Sequence, residues 1–186
     1  MSNKRDGGTS ENIFQEKHHA LQLYDYHVWA NKKVFDRFNE LPQDLYHKEI
    51  QNVFPSLSKV MAHIYIVDNL WLSVMRGDSF AEIMALVGRL PEETETKSLE
   101  EMESMFSDLS GRYKAFLMSQ EDLDRTVSCE HPQYGRLETR LSELVQHVGT
   151  HGTYHRGNIT SMLRQLGHPG VPTDYIIYLY AMNTSG

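Results

Sequence analysis

The stretch LSELVQHVGTHGTYHRGNITSMLRQL, residues 141 to 166, sets apolar side chains at Leu141, Leu144, Val145, Val148, Ile159, Met162 and Leu166. That spacing follows the 3.6-residue period of an amphipathic helix. Thr139 is placed to cap its start, and Gly167 and Pro169 to end it. The same stretch carries His147, His151 and His155 at intervals of four. Residues four apart share a helical face with Cβ atoms about 5–6 Å apart, so two adjacent imidazoles can reach one ion at ~2.0–2.1 Å. Over eight residues, however, a helix climbs about 12 Å, whereas the nitrogens around one tetrahedral ion lie within about 3.5 Å of each other. One ion therefore takes His147 with His151, or His151 with His155. Any third protein ligand has to come from another segment.

Working outward, apolar residues at Phe14, Leu21, Tyr24, Val28, Phe35 and Phe38 predict a first helix from Ile13 to Phe38, stopped by Leu41-Pro42. Pro55-Ser56 opens a second, with Leu57, Val60, Ile64, Val67, Trp71 and Val74 on one stripe and an end near Gly77-Asp78. Residues 78 to 97 read as a connection, with a short apolar piece ahead of Pro91. Ser98-Leu-Glu-Glu101 matches a capping box, and a third helix follows through Leu117. Between Thr126 and Thr139, His131-Pro132 and Tyr134-Gly135 supply turn residues between Val127 and Leu137, the pattern of a short β-hairpin. Four long amphipathic segments predict an all-α fold, a four-helix bundle with that hairpin before the last helix. Residues 1–11 read as a flexible lead and 12–182 as a single domain, with the apolar tail from Val171 to Tyr180 packed along the bundle.

The chain has 186 residues and a formal net charge of −7 with no long basic cluster. Binding to phosphate backbones draws on counterion release from basic contacts, so nucleic acid is not expected as a partner. No apolar run approaches the ~20 residues of a membrane span, so the expectation is a soluble, cytoplasmic protein without membrane contact. Its single cysteine, Cys129, excludes an internal disulfide and a Cys-rich metal site. A metal bound here is held by nitrogen and oxygen.

There are ten histidines. His63 is the best third ligand because it stands beside the apolar stripe of the second helix, three residues after Val60 and four before Val67. His18, His19 and His47 fall at predicted helix ends, and His131 and His168 in turns. Imidazoles buried without partners are costly, and a shared ion satisfies several at once. Gly149, Gly152 and Gly157 each cost a helix interior roughly 1 kcal/mol relative to alanine. Their presence points either to a close neighbouring helix or to room for a ligand.

At His151-Gly-Thr-Tyr-His155-Arg-Gly-Asn-Ile159 the sequence becomes specific. With Tyr26-His-Val-Trp-Ala-Asn31, Phe54-Pro-Ser-Leu-Ser-Lys-Val-Met-Ala-His63, Asp68-Asn-Leu-Trp71 and Pro172-Thr-Asp-Tyr-Ile-Ile-Tyr178, it resembles the DinB family of bacterial metal-dependent proteins, distinct from the DNA polymerase of the same name. The likeness runs from about residue 20 to 180. It implies a four-helix bundle with a divalent metal on His63, His151 and His155, which leaves His147 beside the site, and it implies a homodimer. Members of the wider superfamily include bacillithiol transferases and a mycothiol-dependent maleylpyruvate isomerase.

Three neutral imidazoles leave a divalent ion its full charge and an open position, the pattern of catalytic sites. The expected function is therefore a metal-dependent enzyme that activates a low-molecular-weight thiol or water against a small electrophilic substrate, of the thiol S-transferase or hydrolase type, in stress detoxification. The alternative is a non-catalytic metal-binding protein of the stress response. Zinc is the leading cofactor, with nickel, iron or manganese behind it. His147 is the candidate base or an orienting neighbour, and Arg156 the candidate contact to an anionic substrate group. Trp29, Asn31, Asp68 and Trp71 are expected to line or support the pocket.

Overall fold

A computed structural model describes residues 17–131 and 133–184. The lead expected over residues 1–11, and the expected helix start at Ile13, lie outside the described residues. Within them the chain runs α1 (His19–Asn39), a 3-10 turn (Gln43–Tyr46), α2 (Leu57–Arg76), α3 (Phe80–Glu95), α4 (Leu99–Met118), β1 (Thr126–His131), β2 (Gly135–Arg140), α5 (Leu141–Gln165) and α6 (Tyr175–Asn183).

α5 packs on α1 and α2, and α4 packs on the same two helices. These contacts close a ring, so α1 and α2 face each other across the centre of a four-helix bundle. Each helix turns its apolar stripe inward. Val34 and Phe35 of α1, Val60 and Ile64 of α2, Met102 and Leu109 of α4, and Val145, Val148 and Met162 of α5 are all no more than 2% exposed. Burying each such side chain stabilises the fold by roughly 1.5–3 kcal/mol relative to leaving it in water. Phe35 and Phe106 meet edge to face at 5.2 Å between centroids, tying α1 to α4.

The helix starts follow local chemistry. Ser56 caps α2, its hydroxyl accepting from the Lys59 N–H, and Ser98 with Glu101 forms the expected box at the start of α4. At α5 the boundary moves by one residue. The cap position is Arg140, not Thr139, because Glu143 reaches back to accept from the Arg140 backbone N–H at 2.9 Å while the Thr139 hydroxyl donates to the same carboxylate. Gly167, at φ +85°, closes α5 by letting the His168 N–H reach Leu163 O at 2.9 Å.

The connection expected over residues 78–97 is corrected: most of it is α3, which packs on α2 outside the ring. Ser79 and Glu82 form a second capping box, and the helix runs through Pro91, burying Leu90 and Thr94. The buried Thr94 hydroxyl is satisfied within the helix, donating to Leu90 O at 2.9 Å. The hairpin is present, paired from Thr126↔Arg140 to His131↔Gly135. The apolar tail forms α6 and lies on α1, with Tyr178 packed against Tyr26 and Trp29. Among the described residues no helix is long and apolar enough to cross a membrane.

Candidate metal centre

His63 lies in the second turn of α2, and His151 and His155 lie on successive turns of α5. Packing of α2 on α5 brings the three Nε2 atoms into a triangle with sides of 3.2 Å (63 to 151), 3.1 Å (63 to 155) and 3.0 Å (151 to 155). Hydrogen bonding alone does not satisfy such a triangle. An imidazole nitrogen either carries a proton and donates or carries a lone pair and accepts. With three atoms and two states, at least one side pairs like with like. A cation facing three lone pairs removes the conflict, and the sides fall close to the ~3.3 Å separation that ~2.0–2.1 Å bonds give around a tetrahedral ion. The residues present thus fit a divalent metal.

The surroundings keep these rings neutral. Burial, followed by the neighbouring imidazoles of His155, His63, His147 and His27, pushes His151 down to about 3. Burial and then His63 bring His155 down to about 4. Burial lowers His63 as well, partly offset by the Asp68 carboxylate. Neutral rings are the form that binds metal, so no proton has to be displaced near pH 7. The ring of Phe54 covers the rings of His63 and His155, with centroids at 5.2 Å and 5.4 Å. The Asn158 side-chain amide lies 3.3 Å from His155 Nδ1. Turned to present its oxygen, it accepts the proton that Nδ1 carries when Nε2 is a ligand. His151 Nδ1 is buried and has no partner among the described residues.

Other candidate positions fall in two places. His147 sits one turn before His151, with ring centroids 6.0 Å apart, and the edge of Trp71 packs on it at 4.7 Å. Burial lowers the His147 imidazole too. Asn31, Asp68 and Arg156 belong to a buried network on the α1 side of α5. Arg156, 2% exposed, donates through Nη1 to Asn31 Oδ1 (2.9 Å) and through Nη2 to the Thr153 hydroxyl (2.9 Å). Its Nη1 also lies 3.4 Å from His27 Nδ1. His27 Nε2 lies 2.8 Å from Asp68 Oδ2 and 3.0 Å from the Asn31 amide nitrogen; facing a carboxylate, which can only accept, it donates to Oδ2. Trp29 packs between Tyr26 and Tyr178, under α6 and not beside the triad.

The sequence reading passes over His27, which is 1% exposed and holds α1 to α2 across the bundle. The signal for it is Asn31, one turn later on the same face. Gly152 belongs to this network: a Cβ there would stand 2.4 Å from His27 Cε1 and 2.7 Å from Arg156 Nη1. A Cβ at Gly149 would make only ordinary contact with the Leu23 carbonyl, and one at Gly157 would meet nothing within 4 Å among the described residues. Of the two meanings open for these glycines, a close neighbour holds at Gly152.

Two likenesses join this geometry. The model of the DinB family matches residues 1–185. Over 165 residues the chain is 48% identical to Protein DinB of Bacillus subtilis (strain 168), covering 89% of this chain and 96% of that one.

Proposed function

Because this chain belongs to the DinB family and converges three imidazoles on one point, we propose that it is a metal-dependent enzyme. In this reading it activates a small thiol or water against an electrophilic small molecule. His63, His151 and His155 hold the metal through Nε2, with zinc the leading choice and nickel next. When bound, such an ion acts as a Lewis acid, giving a thiolate or hydroxide nucleophile near neutral pH.

The observation that carries the reading is the number of ligands. Among the described residues, His63, His151 and His155 form the group with metal-binding spacing, and no carboxylate or thiolate joins them. Three protein ligands leave coordination positions for a substrate, whereas structural sites are closed by a fourth side chain. This favours catalysis over sequestration. The protein's own part is orientation and proton handling. Phe54 fixes two of the rings by contact, Asn158 holds the His155 proton at Nδ1, and His147, kept neutral by burial against Trp71, takes the proton released by the nucleophile.

The test has two arms. Elemental analysis of untagged protein is expected to give one metal per chain, lost in His151→Ala. The loaded protein, assayed with bacillithiol, glutathione and water against a panel of electrophiles, is expected to show turnover that the same substitution removes. Full metal content with no turnover under any of the three nucleophiles overturns the enzyme reading and leaves a metal-binding protein.

A further inference from the structure

A separate cavity of about 260 Å³ lies between α1, α2 and α4, and none of the three clustered histidines lines it. It is slightly smaller than the ~300–1,000 Å³ of drug-sized sites, so its occupant is a small molecule. Val28, Phe35, Phe106 and Leu109 supply apolar wall. Asp68, 3% exposed, is also part of the lining, and it is incompletely satisfied. Its Oδ2 accepts from His27, while Oδ1 is buried with no partner among the described residues. A buried carboxylate oxygen without a donor is a costly arrangement that a bound donor relieves.

The charges of the lining choose among donors. Glu103 adds a second carboxylate, and Lys32, the one lysine or arginine in the lining among the described residues, already donates to Asp36 at 2.8 Å. Carboxylates therefore outnumber available ammonium groups, and two phenyl rings, those of Phe35 and Phe106, stand in the wall. Aromatic faces favour cations.

We propose that this cavity is a binding site for a small organic cation, a primary ammonium on a compact apolar body. The ammonium donates to Asp68 Oδ1 and the body lies against Phe35 and Phe106. The site is independent of the metal centre: its failure leaves the three-histidine reading untouched, and the reverse also holds.

Benzylamine, protonated at pH 7, is the probe, with benzyl alcohol as its neutral counterpart of nearly the same shape. Titration of isotope-labelled full-length protein by NMR is expected to show saturable benzylamine binding, with shifts centred on residues 28, 35, 68 and 106. Benzyl alcohol is expected to bind at least tenfold more weakly, and Asp68→Asn to lose at least tenfold in benzylamine affinity. Ser107 is exposed and lines the same cavity, so Ser107→Trp obstructs it without disturbing the core, and this variant is expected to abolish binding while keeping its metal content. Should Asp68→Asn fail to fold, the alcohol comparison and Ser107→Trp still decide the matter. Absence of saturable benzylamine binding, equal binding of the alcohol, or binding that survives Ser107→Trp overturns the proposal.

Discussion

His63 and His155 stand 92 residues apart in sequence, yet their Nε2 atoms are 3.1 Å apart, one carried on α2 and the other on α5. An ion held between them is a cross-link between two sides of the ring, formed only in the folded chain. Binding to the folded state alone stabilises by about 4 kcal/mol at a thousandfold excess over Kd. For a domain of this size, that corresponds to a rise of about 8–16 °C in Tm. Zinc is expected to produce a shift of this order in scanning fluorimetry, and a chelator to reverse it. His63→Gln is expected to abolish the shift while leaving the metal-free Tm near that of the wild type, since it relieves the crowding of three ring nitrogens. A full shift persisting in His63→Gln would show that the ion sits elsewhere.

Arg156 separates two readings of the same residue. The sequence offers it as a contact for an anionic substrate, whereas the structure buries it between Asn31, Thr153 and His27. Removing one member of a buried charged network commonly costs 3–5 kcal/mol, because the groups left behind are neither solvated nor paired. Arg156→Met is therefore expected to lower stability in urea by about that amount, with metal content unchanged in the folded fraction. Wild-type stability with lost activity would restore the substrate contact.

Two glycines of α5 are expected to respond in opposite ways to alanine. At Gly152 the new methyl meets His27 and Arg156 at 2.4–2.7 Å. Overpacking of this kind costs about 1–3 kcal/mol, more than the ~1 kcal/mol that alanine returns in helix propensity. At Gly157 nothing among the described residues lies within 4 Å of the added carbon, so only the gain remains, up to about 1 kcal/mol. Urea midpoints of the two variants check the sign of each.

The extent to which sequence revealed this protein follows from how local each signal is. The histidine spacing and the apolar stripes of α2 and α5 are periodic, and periodicity survives in a single string of residues. α3 was hidden because Pro91 argues against a helix interior, although Ser79 and Glu82 repeat the capping signal that is plain at Ser98 and Glu101. His27 was hidden for a deeper reason. Its partners Asp68 and Arg156 lie 41 and 129 residues away, and nothing short of the packed bundle says that a histidine among Tyr24, Val28 and Asn31 meets them. The direction of Arg156, next to a candidate ligand yet on the other side of α5, depends on the same packing.

The helix that carries His151 and His155 is also anchored by an acid-sensitive cap. Glu143 accepts from the Thr139 hydroxyl, the Arg140 backbone N–H and the Arg140 guanidinium, and these bonds bring its carboxyl from 4.5 down to about 2. Because the folded value lies below the unfolded one, the unfolded chain binds the extra proton over this window. The contribution of Glu143 is thus complete above about pH 4.5 and disappears as the pH falls toward 2. Glu143→Gln removes the charge at every pH. Its urea midpoint is expected to lie below that of the wild type at pH 7, and the two are expected to converge as the pH approaches 2, since the wild type alone loses the ionised cap on the way down. Curves that coincide from pH 7 to pH 2 would mean that the carboxylate does no more at this helix start than a neutral amide, and that α5 owes its anchoring to the apolar face it buries.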